Sequence, residues 1–364
     1  MSFIIDLSGN AAGIAGLAVE LGDLAKQPGA TDTLVQIAIG SGTGGSNPGG
    51  SIPHVGLWDK NANRIGQFRG DANGHIDEAT VKDIYVPNDQ NGGKSEQPEY
   101  LMLTMNESDG ICISMVMASG DGVQWTWLGD MGKACGADWL PSDFKLGAGT
   151  YHPNCVWIDQ DHSNGIKSQG FSLHMPDFAN EQGQVDQYQD DMDTLCKSSK
   201  RMTFWYDIVA DAEIPFFDSP LEYTDTGADV DISKIVDRDV NLYPHAKKRS
   251  VSSRHTRRTD SNNKPGHLVV SNHPEYSAKE VCEHPNSLGP DFVSVVEGTY
   301  CDMSTSEWWY LCSKTITDGC FDLDTQKMRG DASGHKTVEG RDTATARVIP
   351  GKFYTSSVVW DGSA

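Results

Sequence analysis

The stretch that decides the fold class reads Tyr100-Leu-Met-Leu-Thr-Met105, then Ile111-Cys-Ile-Ser-Met-Val-Met117, then Val123-Gln-Trp-Thr-Trp-Leu128. The turn-forming residues Ser108-Asp109-Gly110 and Gly120-Asp121-Gly122 separate these apolar runs. Short runs rich in apolar, β-branched and aromatic residues, bounded by Asp-Gly turns, are typical of β-strands joined by hairpins. The stretch therefore predicts successive short strands.

The same pattern continues on the N-terminal side of this stretch. Val55-Gly-Leu-Trp58 and Asp83-Ile-Tyr-Val86 are further strand candidates, and Asn91-Gly92 is a further hairpin turn. The 38 glycines and 16 prolines of the 364-residue chain also favour turns over long helices. Regularly spaced strands are typical of a sandwich or a barrel. We expect a mainly β protein, in which a β-sandwich-like domain precedes a small disulfide-bonded α+β domain.

Composition divides the chain into zones that we expect to be separate parts. The zones are residues 1–52, a short helix and a Gly/Ser-rich lead-in; residues 53–240, the β-rich domain; residues 241–265, a basic linker open to cleavage; and residues 266–364, the small disulfide-bonded domain. Tyr188 to Cys196 is a candidate acidic helix in the β-rich domain. In the last zone, Ser277-Ala-Lys-Glu280 has the pattern of a capping box at the start of a helix.

The cysteines are evenly divided between the two candidate domains. The eight are Cys112, Cys135, Cys155 and Cys196 in the first, and Cys282, Cys301, Cys312 and Cys320 in the second. No pair has C-x-x-C spacing, so a zinc ribbon or a thioredoxin-type site is not indicated. We expect two disulfides in each part, with three connectivities open for each, and therefore export to an oxidising compartment. Eight buried thiols in a cytosolic protein are the alternative.

A basic segment stands between the two groups of cysteines. Lys247-Lys-Arg-Ser-Val-Ser-Ser-Arg-His-Thr-Arg-Arg258 contains six of the 29 Lys and Arg residues of the chain. Its polar flanks favour an exposed segment that a dibasic-site processing protease could cut after Arg249 and after Arg258. A solvated basic loop on an acidic surface accounts for the same residues.

The overall charge limits the classes of partner. The formal net charge is −22, whereas binding to phosphate backbones or anionic lipids requires clustered cations. We therefore expect no nucleic-acid partner. No apolar run is long enough for a membrane span either, while a homo-oligomer stays open.

A tryptophan-rich segment offers one candidate ligand site. Trp125, Trp127 and Trp139 lie close in sequence to Asp130 and Asp143. Exposed indole rings stack on sugar rings and carboxylates accept hydrogen bonds from hydroxyls, so these residues suit a glycan-binding face. Trp125 and Trp127 share one face of a strand, however, and that face is equally suited to a core.

A candidate cation site follows in the segment Asp159-Gln-Asp-His-Ser-Asn-Gly165. Asp159, Asp161 and Ser163 place oxygen ligands at alternating positions, as in the loops that bind Ca²⁺. The segment departs from EF-hand spacing, because its glycine is at position seven and Gly170 takes position twelve. A hairpin turn rich in Asp and Asn is the alternative interpretation.

The catalytic motifs with a recognisable spacing do not occur in the sequence. It contains no H-E-x-x-H, G-x-S-x-G, Walker loop or G-x-G-x-x-G. The sequence thus does not decide whether the protein is an enzyme. Since no catalytic motif is found, we expect a secreted, non-enzymatic binding protein at a cell wall or host surface, with a glycan as its ligand. The alternatives are a proprotein that releases a toxin, effector or self-assembling extracellular subunit, and a secreted glycoside hydrolase with an Asp/Glu pair.

Several longer motifs resemble those of a group of proteins. They are Val55-Gly-Leu-Trp-Asp-Lys-Asn-Ala-Asn-Arg-Ile-Gly66, Ile111-Cys-Ile-Ser114, Gly129-Asp-Met-Gly-Lys-Ala-Cys-Gly-Ala-Asp-Trp139, Cys155-Val-Trp-Ile-Asp159, Gly289-Pro-Asp-Phe-Val-Ser294, Tyr300-Cys-Asp-Met303 and Cys320-Phe-Asp-Leu-Asp324. Through these motifs, which are spread over most of residues 53–330, the chain resembles secreted proteins of filamentous fungi that carry a dibasic, kexin-like processing segment. The resemblance implies secretion and dibasic processing and supplies no catalytic residues.

Overall fold

The computed structural model describes residues 32–42, 47–70, 74–90, 97–120, 123–146, 151–235, 266–330 and 351–361. The expected N-terminal helix and the basic segment from Lys247 to Arg258 lie outside these residues. The chain divides into two compact units, the first within residues 1–41 and 48–251 and the second within residues 42–47 and 252–364.

The first unit is built mainly of antiparallel strands. They are β1 (Asp32–Ile39), β2 (Gly50–Ser51), β3 (His54–Trp58), β4 (Arg64–Phe68), β5 (His75–Ile76), β6 (Val81–Pro87), β7 (Tyr100–Thr104), β8 (Ile111–Gly120), β9 (Val123–Leu128), β10 (Trp139–Leu140), β11 (Cys155–Ile158), β12 (Gly170–His174) and β13 (Met202–Trp205). The helices are short: α1 (Gly129–Ala134), α2 (Gln182–Asp190), α3 (Asp193–Cys196) and α4 (Ile232–Ile235).

Two sheets face each other in this unit. The first has the order β10-β11-β8-β1-β6, with β9 also paired to β8, and the second has the order β13-β12-β7-β3-β4. Trp127 of the first sheet packs on Phe171 of the second, with ring centroids 4.9 Å apart. Apolar side chains from both sheets thus form a shared core, which is the arrangement of a β-sandwich. The predicted mainly β fold class is confirmed.

Strand β8 explains why the deciding stretch is apolar without alternation. All of its residues are buried. Met115 and Met117 pack in one cluster with Phe144 and Leu146, which come from the segment after β10. Because this segment covers the outer face of β8 while the sandwich core covers the inner face, both faces require apolar side chains.

The second unit combines a mixed sheet with one helix. Its elements are β14 (His267–Ser271), α5 (Ala278–Glu283), β15 (Asp291–Ser294), β16 (Thr299–Asp302), β17 (Glu307–Tyr310), β18 (Cys320–Asp322), β19 (Lys327–Arg329) and β20 (Ser356–Trp360). The main sheet has the order β17-β16-β15-β14-β20, and β14 is parallel to both of its neighbours. Ser277 caps α5, since its side chain accepts a hydrogen bond from the Glu280 amide.

All eight cysteines form disulfides, as expected from their number. The pairs are Cys112–Cys155, Cys135–Cys196, Cys282–Cys301 and Cys312–Cys320, two in each unit. The first joins β8 to β11, the second joins the end of α1 to α3, and the third fixes α5 on β16. The candidate acidic helix from Tyr188 to Cys196 is divided in the structure between the end of α2 and α3.

The described part of the chain contains no helix of the length and apolarity that a membrane span requires.

Candidate functional site

The three tryptophans of the predicted glycan face are core residues. Trp125 is 3% exposed, and Trp127 and Trp139 are fully buried. Trp127 packs between the two sheets, and its indole N–H points to Met202 Sδ at 3.4 Å. A ring that stacks on a sugar has to be exposed, so the prediction of a stacking platform at these three residues is wrong. The shared face of β9 is the face that the sandwich encloses.

The two aspartates of that prediction differ in their surroundings. Asp130 Oδ1 accepts a hydrogen bond from Asn154 Nδ2 at 2.6 Å, so it ties α1 to the segment before β11. Burial raises the pKa of Asp130, an effect that the Asn154 amide opposes. Asp143 is half-buried, and its backbone N–H donates to Ser41 O at 3.0 Å. The Asp130 carboxylate thus serves a local hydrogen bond next to buried Trp127.

An open groove on the first unit is a better candidate. It has a volume of about 840 Å³ and runs along β3 and β4, between the loop after β7 and the segment at residues 210–211. The side chains that line it are mostly planar and polar: His54, Arg64, Gln67, Phe68, Arg69, Asn106, Glu107 and Asp211. Clefts of this size accept small ligands, and polar lining groups determine which ones.

The β3–β4 hairpin positions the groove. The Asp59 carboxylate accepts hydrogen bonds from the Asn61 and Asn63 amides, each at 2.8 Å, and Ala62 takes a left-handed backbone conformation with φ 61°. An aspartate that binds the backbone two residues on is a frequent turn device. The turn brings β4 back antiparallel to β3, and Gln67, Phe68 and Arg69 follow at its far end.

Arg64 is held rigidly at one wall of the groove. Its guanidinium pairs with Asp211 Oδ1 at 3.1 Å and also donates to the Ala210 carbonyl oxygen. The same group lies 4.9 Å from the centroid of the Trp58 ring. These contacts fix the wall and balance the charge of Arg64 with that of Asp211.

Arg69 is the available cation of the groove. It is exposed, and none of the described residues forms an ion pair with it. Partial burial and the positive charge of Arg69 lower the pKa of His54, which keeps this imidazole neutral near pH 7. Neutral His54 offers one donor and one acceptor, while Gln67, Asn106 and Glu107 add further donors and acceptors around the same space.

The three residues of the predicted cation site do come together. Asp159 follows β11 and is fully buried. Ser163 Oγ donates to Asp159 Oδ2 at 2.6 Å, and the Ser163 amide donates to Asp161 Oδ1 at 3.0 Å. The segment forms a turn with left-handed backbone at His162 and Asn164, the conformation that a turn rich in Asp and Asn also adopts.

Sequence reasoning missed a buried ion network in the first unit. Arg201 is fully buried and donates to Asp177 Oδ1 at 2.7 Å and to Asp229 Oδ2. Tyr188 and Tyr223 also donate to Asp177, at 2.8 and 3.0 Å. Burial alone would raise the pKa of Asp177, but the nearby positive charge of Arg201 holds it well below its usual range. The network joins β12 and β13 to α2 and lies too deep to receive a ligand.

His174 belongs to the same network. Its Nδ1 lies 3.0 Å from Asp177 Oδ2, and its Nε2 lies 3.7 Å from Glu99 Oε2. Burial opposes a charged imidazole, yet the two carboxylates raise the pKa of His174 above its ordinary value. The spacing of His174 and Asp177 was the one available sequence signal, but it did not reveal Arg201 as their partner.

A second buried cluster lies in the second unit. Lys352 Nζ lies 2.9 Å from Asp291 Oδ2 and 2.7 Å from Asp302 Oδ1. Tyr300 and Tyr354 also donate to Asp291 Oδ2, at 3.2 and 2.6 Å. The cluster ties the segment before β20 to β15 and β16, and we interpret it as structural.

Comparison with known proteins adds no further information about the site. No protein-family model matches the chain, and no curated protein matches it.

Proposed function

We propose that this protein is a secreted, non-enzymatic binding protein that takes a glycan of a cell wall or host surface into the groove along β3 and β4. Two lines of reasoning support export: all eight cysteines are paired in disulfides, and the sequence motifs resemble those of secreted fungal proteins. Disulfides persist in oxidising compartments and are rare in the cytosol.

The observation that carries the proposal is the lining of the groove. A sugar offers many hydroxyl groups, each of which donates and accepts, and planar polar side chains pair with neighbouring hydroxyls. Arg69, Gln67 and Glu107 supply such groups around one open space. Phe68 is partly exposed in the same groove and gives an aromatic surface on which a sugar ring can stack.

The charges of the groove are compatible with a neutral or a mildly acidic glycan. Asp211 neutralises the charge of Arg64. Arg69 and Glu107 also line the groove, and they add one positive and one negative charge. Arg69 can bind two adjacent hydroxyls or the carboxylate of a uronic acid, since its guanidinium presents parallel donors. The groove thus differs from the surrounding surface of a protein with net charge −22.

Glycan binding is tested by titrating the full chain with wall polysaccharides and their oligosaccharides in a calorimeter. Arg69→Gln and Gln67→Ala each remove hydrogen-bonding groups from the exposed lining without touching the core. Loss of a hydrogen bond to a charged group costs about 1.5–3 kcal/mol, so we expect Arg69→Gln to weaken binding by about tenfold or more.

Lys82→Gln is the matched control, because it makes the same charge change on exposed β6 outside the groove lining. It should bind like the wild type. The proposal fails if the wild type binds no glycan in a panel of neutral and acidic polysaccharides, or if Arg69→Gln binds as tightly as Lys82→Gln.

Proteolytic maturation is the second part of the proposal. The basic segment from Lys247 to Arg258 supports it, because the clustered cations stand between two sets of cysteines in an otherwise acidic chain. Incubation with a kexin-type protease should cut after Arg249 or Arg258. A chain that stays intact under these conditions would contradict this part of the proposal and leave glycan binding untouched.

A further inference from the structure

A carboxylate oxygen at the end of β11 is buried without a partner among the described residues. Asp159 is fully buried directly after β11, and its Oδ2 accepts the Ser163 hydroxyl at 2.6 Å. Its Oδ1 is also buried, and no hydrogen-bond donor among the described residues reaches it. Buried carboxylate oxygens are normally hydrogen-bonded, ion-paired or bound to a metal, so this atom requires an explanation.

A second carboxylate stands beside the first. Asp161 is exposed, and Ser163 bridges the two carboxylates, because its hydroxyl donates to Asp159 Oδ2 and its amide donates to Asp161 Oδ1 at 3.0 Å. Within the described ranges, neither aspartate forms an ion pair with a Lys or Arg side chain. Lys167, the nearest lysine in sequence, pairs with Asp138 at 2.6 Å. Two carboxylates and a hydroxyl therefore converge without a Lys or Arg side chain to balance them.

Neighbouring elements hold this arrangement in place. Gly110, in the turn before β8, lies so close that a Cβ added to it would be 3.1 Å from the Asp159 Cβ. The Asp159 amide donates to Ser168 O at 2.8 Å, which closes the base of the loop. His162 turns away, because its ring stacks on Tyr206 with centroids 4.0 Å apart and its Nε2 lies 3.5 Å from Asp207 Oδ1.

We infer that Asp159, Asp161 and Ser163 form a binding site for a hard divalent cation, and that Ca²⁺ is its occupant. The unpartnered Asp159 Oδ1 and the adjacent Asp161 carboxylate supply charged oxygen ligands, and Ser163 Oγ supplies a neutral one. Ca²⁺ accepts six to eight oxygen ligands in a flexible geometry, so backbone carbonyls and water complete its shell. Mg²⁺ demands a stricter octahedron, and Zn²⁺ prefers nitrogen and sulfur ligands.

The site is independent of the glycan groove, since it shares no residue with the groove lining. Its role is to join the end of β11 to the start of β12 by neutralising the two carboxylates. Extracellular modules bind Ca²⁺ with dissociation constants on the order of 10⁻⁴–10⁻³ M, and we expect this range here.

The test is calorimetric titration of the chelator-treated full chain with CaCl2, MgCl2 and ZnCl2, together with thermal unfolding at each concentration. We expect saturable Ca²⁺ binding with a rise in Tm and weaker effects of Mg²⁺ and Zn²⁺. Asp161→Asn should weaken Ca²⁺ binding by about tenfold or more, because it removes one charged ligand at an exposed position. Asp190→Asn is the matched control, an exposed aspartate at the end of α2, and should bind like the wild type.

Two results would overturn the inference. One is a wild-type chain that shows neither heat of binding nor a change in Tm up to about 10 mM CaCl2, roughly ten times the weakest expected dissociation constant. The other is equal Ca²⁺ affinity in Asp161→Asn and Asp190→Asn.

Discussion

Replacement of Arg201 by methionine tests a fully buried charge in the first unit. Methionine keeps much of the length of the side chain and removes the guanidinium. Asp177 and Asp229 would then remain in the interior without the cation that both of them contact, since their side chains are 0% and 1% exposed. The change therefore leaves uncompensated charge instead of removing a balanced pair.

Loss of one partner from a buried ion pair costs about 3–5 kcal/mol, and here one cation serves two carboxylates. We expect Arg201→Met to lose about 4 kcal/mol of unfolding free energy at pH 7, measured by urea unfolding with tryptophan fluorescence. The deficit should shrink as the pH falls toward 5. In the variant the freed carboxylates have a folded-state pKa above the unfolded value, so the folded state gains protons and stability on acidification.

Lys197→Met provides the control, because it breaks an exposed pair with Asp193 at 2.7 Å on α3. Such surface pairs contribute about 0.5 kcal/mol or less. The reasoning is refuted if Arg201→Met unfolds with the same midpoint as Lys197→Met, or if its deficit grows on acidification.

Further predictions concern pH dependence, packing and modification. Because the pKa of His174 is raised in the folded state, its contribution to stability is complete below about pH 6.5 and is lost as the pH rises through the folded-state pKa. The difference in Tm between wild type and His174→Gln should therefore be larger at pH 6 than at pH 9. Gly132→Ala should lower the free energy of unfolding in urea by about 1–3 kcal/mol, because the added Cβ would lie 2.7 Å from Val156 Cγ2, where α1 packs on β11. An unchanged free energy of unfolding would show that Val156 can move to make room for the methyl group. Asn106 is exposed and belongs to the sequon Asn106-Glu107-Ser108, so the protein exported from a eukaryotic host should carry one N-glycan there. Intact mass should show this glycan on the wild type and not on Asn106→Gln. Since Asn106 lines the groove, enzymatic removal of that glycan should strengthen binding of added glycans; unchanged affinity would contradict its position at the groove mouth.

The strands could be predicted from the sequence because their signal is local. The runs within residues 100–128 form β7, β8 and β9, since each run contains its own apolar pattern and its own turn. The disulfides were predictable in number for a similar reason, whereas their connectivity depends on which strands become neighbours, as Cys112 and Cys155 do on β8 and β11.

The candidate sites were harder to predict because they depend on the packing of distant segments. Alternation places Trp125 and Trp127 on one face of β9, but only the opposite sheet decides that this face is enclosed. Arg201 looks like a surface residue in sequence, and its burial requires carboxylates from positions 177 and 229 to meet it. Residues from β3, β4 and the loop after β7 likewise form the groove only once the second sheet is assembled.

The four disulfides have one further consequence, which concerns the covalent connectivity of the chain. Two bridges close within residues 112–196 and two within residues 282–320, so no bridge crosses the interval between Cys196 and Cys282. Any single backbone cut in that interval would yield two polypeptides that no covalent bond joins. They would migrate as separate bands on a non-reducing gel, each with its bridges intact. A protease alone could therefore remove the last covalent link between the two halves, irreversibly and without a reductant.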